Sequence, residues 1–130
     1  MSNLKEIAFT KVATVTGIDA KTIATTELYV VPAGKTFIPM LVVIRVTAFT
    51  AGGKAVQAVA SFGGNSATYD DFLNTVTYTV AAVDFFQMDR GALATALAVQ
   101  AAGDSFRISI ETGSDATTET WAVDVFGYLV

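Results

Sequence analysis

Apolar and polar residues alternate along much of the chain with the two-residue period of a β-strand. Residues 76–80 place valine and tyrosine on one face and threonine on the other. Residues 105–111 likewise carry one phenylalanine and two isoleucines on a single face. Near the C-terminal end, Trp121, Val123 and Val125 share a face, which predicts that Trp121 belongs to a hydrophobic core rather than to a ligand platform.

Turn residues separate these apolar runs at fairly regular intervals. Val31-Pro32-Ala33-Gly34 has the composition of a β-turn, and Gly103-Asp104 lies between two strand-like runs as a compact hairpin connection would. Such spacing predicts one all-β, antiparallel domain over 1–130, built as a sandwich or barrel. We predict about eight strands, near residues 6–16, 24–31, 36–50, 54–62, 75–88, 95–102, 105–112 and 118–129.

Two segments permit a helical alternative. Ser66 to Asn74 could form one helical turn capped by Ser66. Residues 92–102 have good helix propensity and are followed by Gly103, a common helix terminator. Larger side chains nevertheless alternate with small ones there and lead directly into the Gly103-Asp104 turn, which favours a strand.

The segment 36–50 is apolar on both faces. Counting alternate residues places Phe37, Leu41, Val43 and Phe49 on one face, and Ile38, Met40, Val42, Ile44 and Val46 on the other. Since a sandwich core covers only one side of a strand, we expect a second cover. That cover could be a loop of the same chain or a neighbouring subunit.

Charge is scarce in this chain. Charged residues make up 15% of the sequence and hydrophobic residues 52%, whereas charged residues are about 25% of a typical soluble domain. A solvent-exposed surface formed mainly by threonine, serine, alanine and glutamine would account for the low charge content. The alternative that we favour is that part of the exterior is buried against partner subunits, because interface cores are depleted in charge.

Large apolar side chains indicate where such contacts would lie. Residues 83–88 carry bulky apolar groups on both faces, so that one set could face a partner. The other interpretation buries Phe85 in the core and places Phe86 and Met88 beneath a loop. The predicted interface residues are Met40, Phe49, Phe85, Phe86, Met88 and Tyr128.

The distribution of charge argues against nucleic acid and membrane partners. Net charge is −4, and the eight basic residues are scattered, so no basic run exists to collect phosphates. No apolar stretch approaches the roughly 20 residues of a membrane span. Residues 1–6 lack the apolar segment of a secretory signal, so we expect synthesis and assembly in a host cytoplasm.

Catalytic and metal-binding signatures are sparse. The chain has no cysteine and no histidine, which removes the usual metal ligands and the general base of most serine triads. Carboxylate pairs remain, namely Asp70 with Asp71 and Asp84 with Asp89, and either could in principle serve glycoside hydrolysis. A calcium site at Asp70 or Asp71 is conceivable, but the spaced acidic pattern of a dedicated loop is missing. We predict no enzyme, no cofactor and no metal.

Three stretches resemble known families. Residues 97–110 resemble the strand, Gly-Asp turn and strand near the end of many jelly rolls, and residues 125–130 are similar to the closing strand of trimeric tumour-necrosis-factor-like and complement-like jelly rolls. Residues 28–39 resemble a segment common in bacteriophage virion proteins. Together they cover about a quarter of the chain.

This resemblance implies a jelly-roll virion protein, such as a capsid decoration or fibre component, that forms homotrimers and binds other virion proteins. A receptor- or carbohydrate-binding tip with exposed tyrosines is the alternative. A cellular trimeric ligand is a third possibility, disfavoured by the missing signal segment.

Overall fold

The computed structural model describes residues 8–89 and 99–130, which form strands connected by turns and loops and contain no helix. These ranges contain eight strands. The strands are β1 Thr10–Asp19, β2 Ala24–Val30, β3 Phe37–Thr50, β4 Ala58–Gly63, β5 Leu73–Tyr78, β6 Phe85–Asp89, β7 Ser105–Thr112 and β8 Thr118–Leu129.

The strands form two four-stranded sheets, which confirms the predicted antiparallel β-sandwich. Sheet I has the order β1-β8-β3-β6, and sheet II has the order β2-β7-β4-β5. The antiparallel pairs are nested along the chain: β1 with β8, β2 with β7, β3 with β6, and β4 with β5. A chain folded on itself as one long hairpin and then wrapped into two facing sheets is a jelly roll.

The hydrophobic core lies between the inner faces of the two sheets. Sheet I contributes Trp121, Val123 and Val125 from β8, all without solvent exposure, as the sequence predicts. Sheet II contributes the apolar residues of β7, and Phe106 packs edge-to-face on Phe37 of the opposite sheet at 6.1 Å between ring centroids. Alternation along each strand therefore sends one set of side chains to the core and the other set outward.

Two irregularities in β3 correct the predicted faces of this strand. Register shifts against β8 fall between Pro39 and Leu41 and again between Val46 and Ala48. Each extra residue reverses the alternation, as in a β-bulge. The core therefore receives side chains from both predicted sets, namely Phe37, Val42, Ile44 and Val46, with Phe49 packed against them.

The single strand predicted over 75–88 is wrong. Residues 73–78 form β5 in sheet II, whereas residues 85–89 form β6 in sheet I. The connection between them crosses from one sheet to the other, so its residues cannot remain in one ladder. The continuous run of strand-forming residues hides this crossover, because each half has the composition of a strand.

The remaining predicted boundaries need smaller corrections. Strand β1 is displaced toward Asp19, and β4 begins at Ala58 rather than at residue 54. Half of the strand predicted at 95–102 lies outside the described residues; in the other half, 99–102, no strand forms, and Gln100 makes an isolated bridge with Phe37. Residues 66–68 form a turn rather than a helix, closed by the Tyr69 amide donating to the Asn65 carbonyl at 2.7 Å.

A buried ion pair joins two loops and β8 at one end of the sandwich. Lys54 Nζ lies 2.9 Å from Glu119 Oε1, and the two side chains are 4% and 0% exposed. Ser114 and Trp121 also donate to this carboxylate, and Lys54 donates to the carbonyl of Val80. Because these contacts satisfy both charged groups, the pair can lie inside an apolar region.

Replacing Lys54 with methionine should destabilise the fold, because the Glu119 carboxylate would remain buried without its cation. We expect Lys54→Met to lower the free energy of unfolding by about 3–5 kcal/mol, measured by urea denaturation. The control is Lys35→Met at an exposed turn residue, which should change stability by less than about 0.5 kcal/mol. Equal stabilities for the two variants would contradict this account of Glu119.

Candidate assembly surface

The outer faces of the two sheets differ in polarity. On sheet II, Arg107 lies 3.5 Å from Glu27, and Ser105 donates to the same carboxylate at 2.8 Å. On the neighbouring strand, the exposed Glu111 carboxylate accepts from Ser61, which is itself buried. This face therefore carries the ionic and hydroxyl groups expected of a surface in water.

The outer face of sheet I carries exposed apolar side chains alongside charged ones, and its strand register shows which side chains are neighbours. In one row across the sheet, Asp89 pairs with Leu41, Leu41 with Phe126, and Phe126 with Lys11. Residues paired across an antiparallel ladder present their side chains on the same face. In a second row, Phe85 pairs with Arg45, and Arg45 pairs with Ala122.

One exposed apolar patch lies at the β6 edge of this face. We call it the edge patch and define it by Val43, Val83 and Phe85. Val83 and Phe85 are 66% and 64% exposed. Together with Arg45 and Asp84 they line a shallow depression in the sheet surface. Single exposed apolar side chains are common on proteins, whereas a contiguous group of them is the informative feature of a surface.

A second apolar patch lies where β1 enters the same face. We call it the aromatic patch and define it by Phe9, Phe126 and Tyr128. The ring of Phe9 stacks on Phe126 with centroids 5.8 Å apart and meets Tyr128 edge-on at 5.8 Å. Phe9 is 49% exposed despite these contacts. Lys11, which is also exposed, is the register partner of Phe126 and borders this patch.

A polar cluster separates the two patches. Arg45 donates through Nε and Nη2 to the two carboxylate oxygens of Asp124 at 2.9 and 3.2 Å, and Thr14 donates to Asp124 at 2.7 Å. Burial alone would raise the pKa of Asp124. The hydrogen bonds from Thr14 and Arg45, and the positive charges of Arg45 and Lys11, outweigh burial and hold this pKa below its ordinary value.

The predicted interface residues fall into two groups. Met40 and Phe85 are exposed, and Tyr128 lies half-buried in the aromatic patch. Phe49, Phe86 and Met88 pack against the core instead, and Phe86 meets Tyr78 edge-on at 5.4 Å. Of the pair Phe85 and Phe86, Phe85 is therefore the position at which an introduced charge would alter the surface without breaking a core contact. Whether any of the six contacts a partner stays a prediction.

Sequence reasoning missed Phe9 and Val83, which are central to the two patches. Both residues lie inside strands predicted from the sequence, 6–16 and 75–88, whereas in the structure Phe9 precedes β1 and Val83 lies in the β5–β6 connection. The bulky apolar run at 83–88 was the available signal for Val83, and no pattern distinguished Phe9 from the core-facing residues of a strand.

The tyrosines do not gather into a sugar-binding platform. Tyr78 is buried in the core, and Tyr29 packs on Phe37. The guanidinium of Arg107 lies over the ring of Tyr69 at 5.5 Å on sheet II, whereas Tyr128 is on sheet I. Among the described residues, no ring contact joins two tyrosines.

The carboxylate pairs considered above have other roles or are far apart. Asp70 accepts from Asn65 at 2.6 Å, a bond that holds the pKa of Asp70 below its ordinary value, and Asp71 accepts from the Gly64 amide at 2.9 Å. Asp84 immediately precedes β6 and Asp89 ends it, so strand geometry separates their α-carbons by roughly 16 Å. Paired glycosidase carboxylates lie about 5–9.5 Å apart.

The described ranges offer neither a metal-binding cluster nor a membrane-spanning helix. Residues 8–89 and 99–130 contain no group of three acidic, histidine or cysteine side chains that could hold a metal ion. The same ranges contain no helix long and apolar enough to cross a membrane.

The lowered pKa of Asp124 predicts how Asp124→Asn changes stability with pH. Because the folded pKa lies below the ordinary 3.8, the ionised carboxylate stabilises the fold fully above that value, and this contribution is lost as pH falls through the folded pKa. At pH 7 the variant should be less stable by at most about 1 kcal/mol, since Arg45 is 43% exposed. Urea denaturation at several pH values should show this gap closing below about pH 4, where protonation of Asp124 begins.

The control is Asp89→Asn, which alters an exposed carboxylate on β6. This substitution should produce a smaller difference at pH 7. A gap for Asp124→Asn that widened in acid would contradict the role given to the Arg45–Asp124 pair.

Comparison with known proteins shows similarity in structure but not in sequence. No family model matches this chain, and no curated protein matches it. A chain in the acidic stable capsid structure of Helicobacter pylori bacteriophage KHP30 superposes with a TM-score of 0.56 at 10% sequence identity, covering 95% of this chain and 96% of that chain. At this identity, the similarity shows a common fold.

Proposed function

We propose that this chain is a non-enzymatic structural protein of a bacteriophage virion. Its finer role would be that of a capsid decoration, or cement, protein that assembles with copies of itself and with other virion proteins. The similarity to the KHP30 capsid chain carries this proposal, because the match extends over 95% of this chain and 96% of the other rather than over a single motif. Because one fold can serve many functions, the properties of the surface also bear on the role of this protein.

The contrast between the two outer faces supports assembly as the mechanism. Sheet II presents one ion pair together with hydroxyl groups, whereas sheet I presents two apolar patches on either side of its own ion pair. Removing apolar surface from water stabilises a contact by roughly 25 cal/mol per Å². A subunit with one such face gains free energy by packing that face against neighbours in a particle.

The net charge of −4 agrees with a position outside the packaged genome. Nucleic acid is polyanionic, and a chain with scattered basic residues lacks the main electrostatic contribution to binding it. We therefore place the protein on the outer side of the shell, after synthesis in the host cytoplasm. The proposed homotrimer follows from the resemblance of the last strand to trimeric jelly rolls.

Analysis of purified particles tests this proposal. We expect quantitative mass spectrometry of virions made by the same genome to find this chain at a fixed ratio to the major shell protein. Particles lacking its gene should assemble but lose their contents at a lower temperature, because the apolar contacts between subunits are missing. Absence of the chain from intact, purified virions would overturn the proposal, and a trace amount without fixed stoichiometry would do the same.

A further inference from the structure

The two apolar patches occupy opposite corners of one sheet face. The edge patch lies where β6 meets β3, in the row that joins Phe85 to Arg45. The aromatic patch lies where β1 meets β8, beyond the row that joins Phe126 to Lys11. Two separate patches on one subunit are what a head-to-tail contact requires, because such a contact joins two different surfaces and can close into a ring.

The charges beside the patches are opposite. Asp84 lines the depression of the edge patch, and the only cation there, Arg45, is already paired with Asp124. Lys11 borders the aromatic patch. A contact between two edge patches would bring the Asp84 carboxylates of the two copies together, and these repel each other. A contact between two aromatic patches would likewise bring two Lys11 side chains together. Contact between unlike patches instead places Asp84 near Lys11, an arrangement that favours the correct pairing.

The exposed area is sufficient for the centre of an interface. Phe9 and Phe85 are 49% and 64% exposed, and each aromatic side chain offers on the order of 200 Å² when fully open. Each ring therefore leaves on the order of 100 Å² of apolar surface in water. Interfaces of ordinary size bury about 800 Å² per partner, with the binding energy concentrated in a few central aromatic residues.

We infer that copies of this chain associate head to tail, with the edge patch of one copy packed against the aromatic patch of the next. The partner at this surface is therefore a second copy of the same chain. The inference rests on the proposed function in that it takes assembly to be how this protein acts. The head-to-tail contact is tested with purified protein in solution, whereas the proposed function is tested on particles. Either of the two can therefore fail while the other succeeds.

The test uses one variant in each patch and a control on the other sheet. Phe85→Asp and Phe9→Asp should each weaken self-association at least tenfold, because each places a charge in a desolvated contact. Sedimentation equilibrium gives the association constant. The control Thr77→Asp introduces the same charge on exposed β5 of sheet II, and it should associate as the parent does. Circular dichroism and thermal unfolding verify that each variant is folded.

Mixing the two patch variants distinguishes head-to-tail contact from contact between like patches. A Phe85→Asp copy retains its aromatic patch, and a Phe9→Asp copy retains its edge patch. The mixture should therefore form a heterodimer through one intact contact but no closed ring. Association through a single kind of patch would leave one variant unaffected, and this result would overturn the inference.

Charge exchange gives a second test that spares the aromatic rings. Asp84→Lys and Lys11→Asp should each weaken self-association, because each brings two like charges together. The double variant should regain most of the parent's affinity, because a lysine on one copy again faces an aspartate on the next. If the double variant lost as much association free energy as the two single variants together, the pairing of Asp84 with Lys11 would be contradicted. A parent protein that stays monomeric at high micromolar concentration would overturn the inference whatever the particles contain.

Discussion

The ladder between β3 and β8 is the interaction on which the remaining structure depends. These are the two longest strands, and together they form the centre of sheet I. Their register decides which side chains enter the core and which share the outer face, because a shift of one residue would exchange the two sets. The bulges beyond Pro39 and Val46 make the register compatible with this sequence. Without them, Val42 and Phe37 could not both face sheet II.

The same ladder also determines which side chains share the outer face of sheet I. Because the central strands of sheet I carry apolar side chains on both sides, one face of the sheet forms part of the core and the other leaves apolar side chains in contact with water. The one ion pair on that outer face, between Arg45 and Asp124, joins β3 to β8 across the ladder. Asp89 and Lys11, which the register also places on this face, belong to the edge strands β6 and β1, so the exposed apolar side chains lie between charged residues at the edges and one ion pair at the centre.

Much of this fold could be predicted from the sequence, because period-two alternation is a local signal and the core-facing residues of β7 and β8 follow it without interruption. The prediction failed where the decisive fact is not local. Neither the crossover between β5 and β6 nor the bulges in β3 can be recognised from the residue types of those segments. Part of the candidate surface was recognised through Phe85 and Tyr128, but Phe9 and Val83 acquire their role only when the register places them beside those residues.

The Arg45–Asp124 pair also bears on why assembly should be limited. An outer face that was apolar throughout would stack on any similar face, and open-ended aggregation would follow. Arg45, Asp124 and Thr14 satisfy one another within the subunit, so burying them against a neighbour would gain little and would remove their remaining contact with water. The favourable contacts are thereby restricted to two separate corners with opposite bordering charges. A surface divided in this way favours a small number of defined neighbours over a continuous stack.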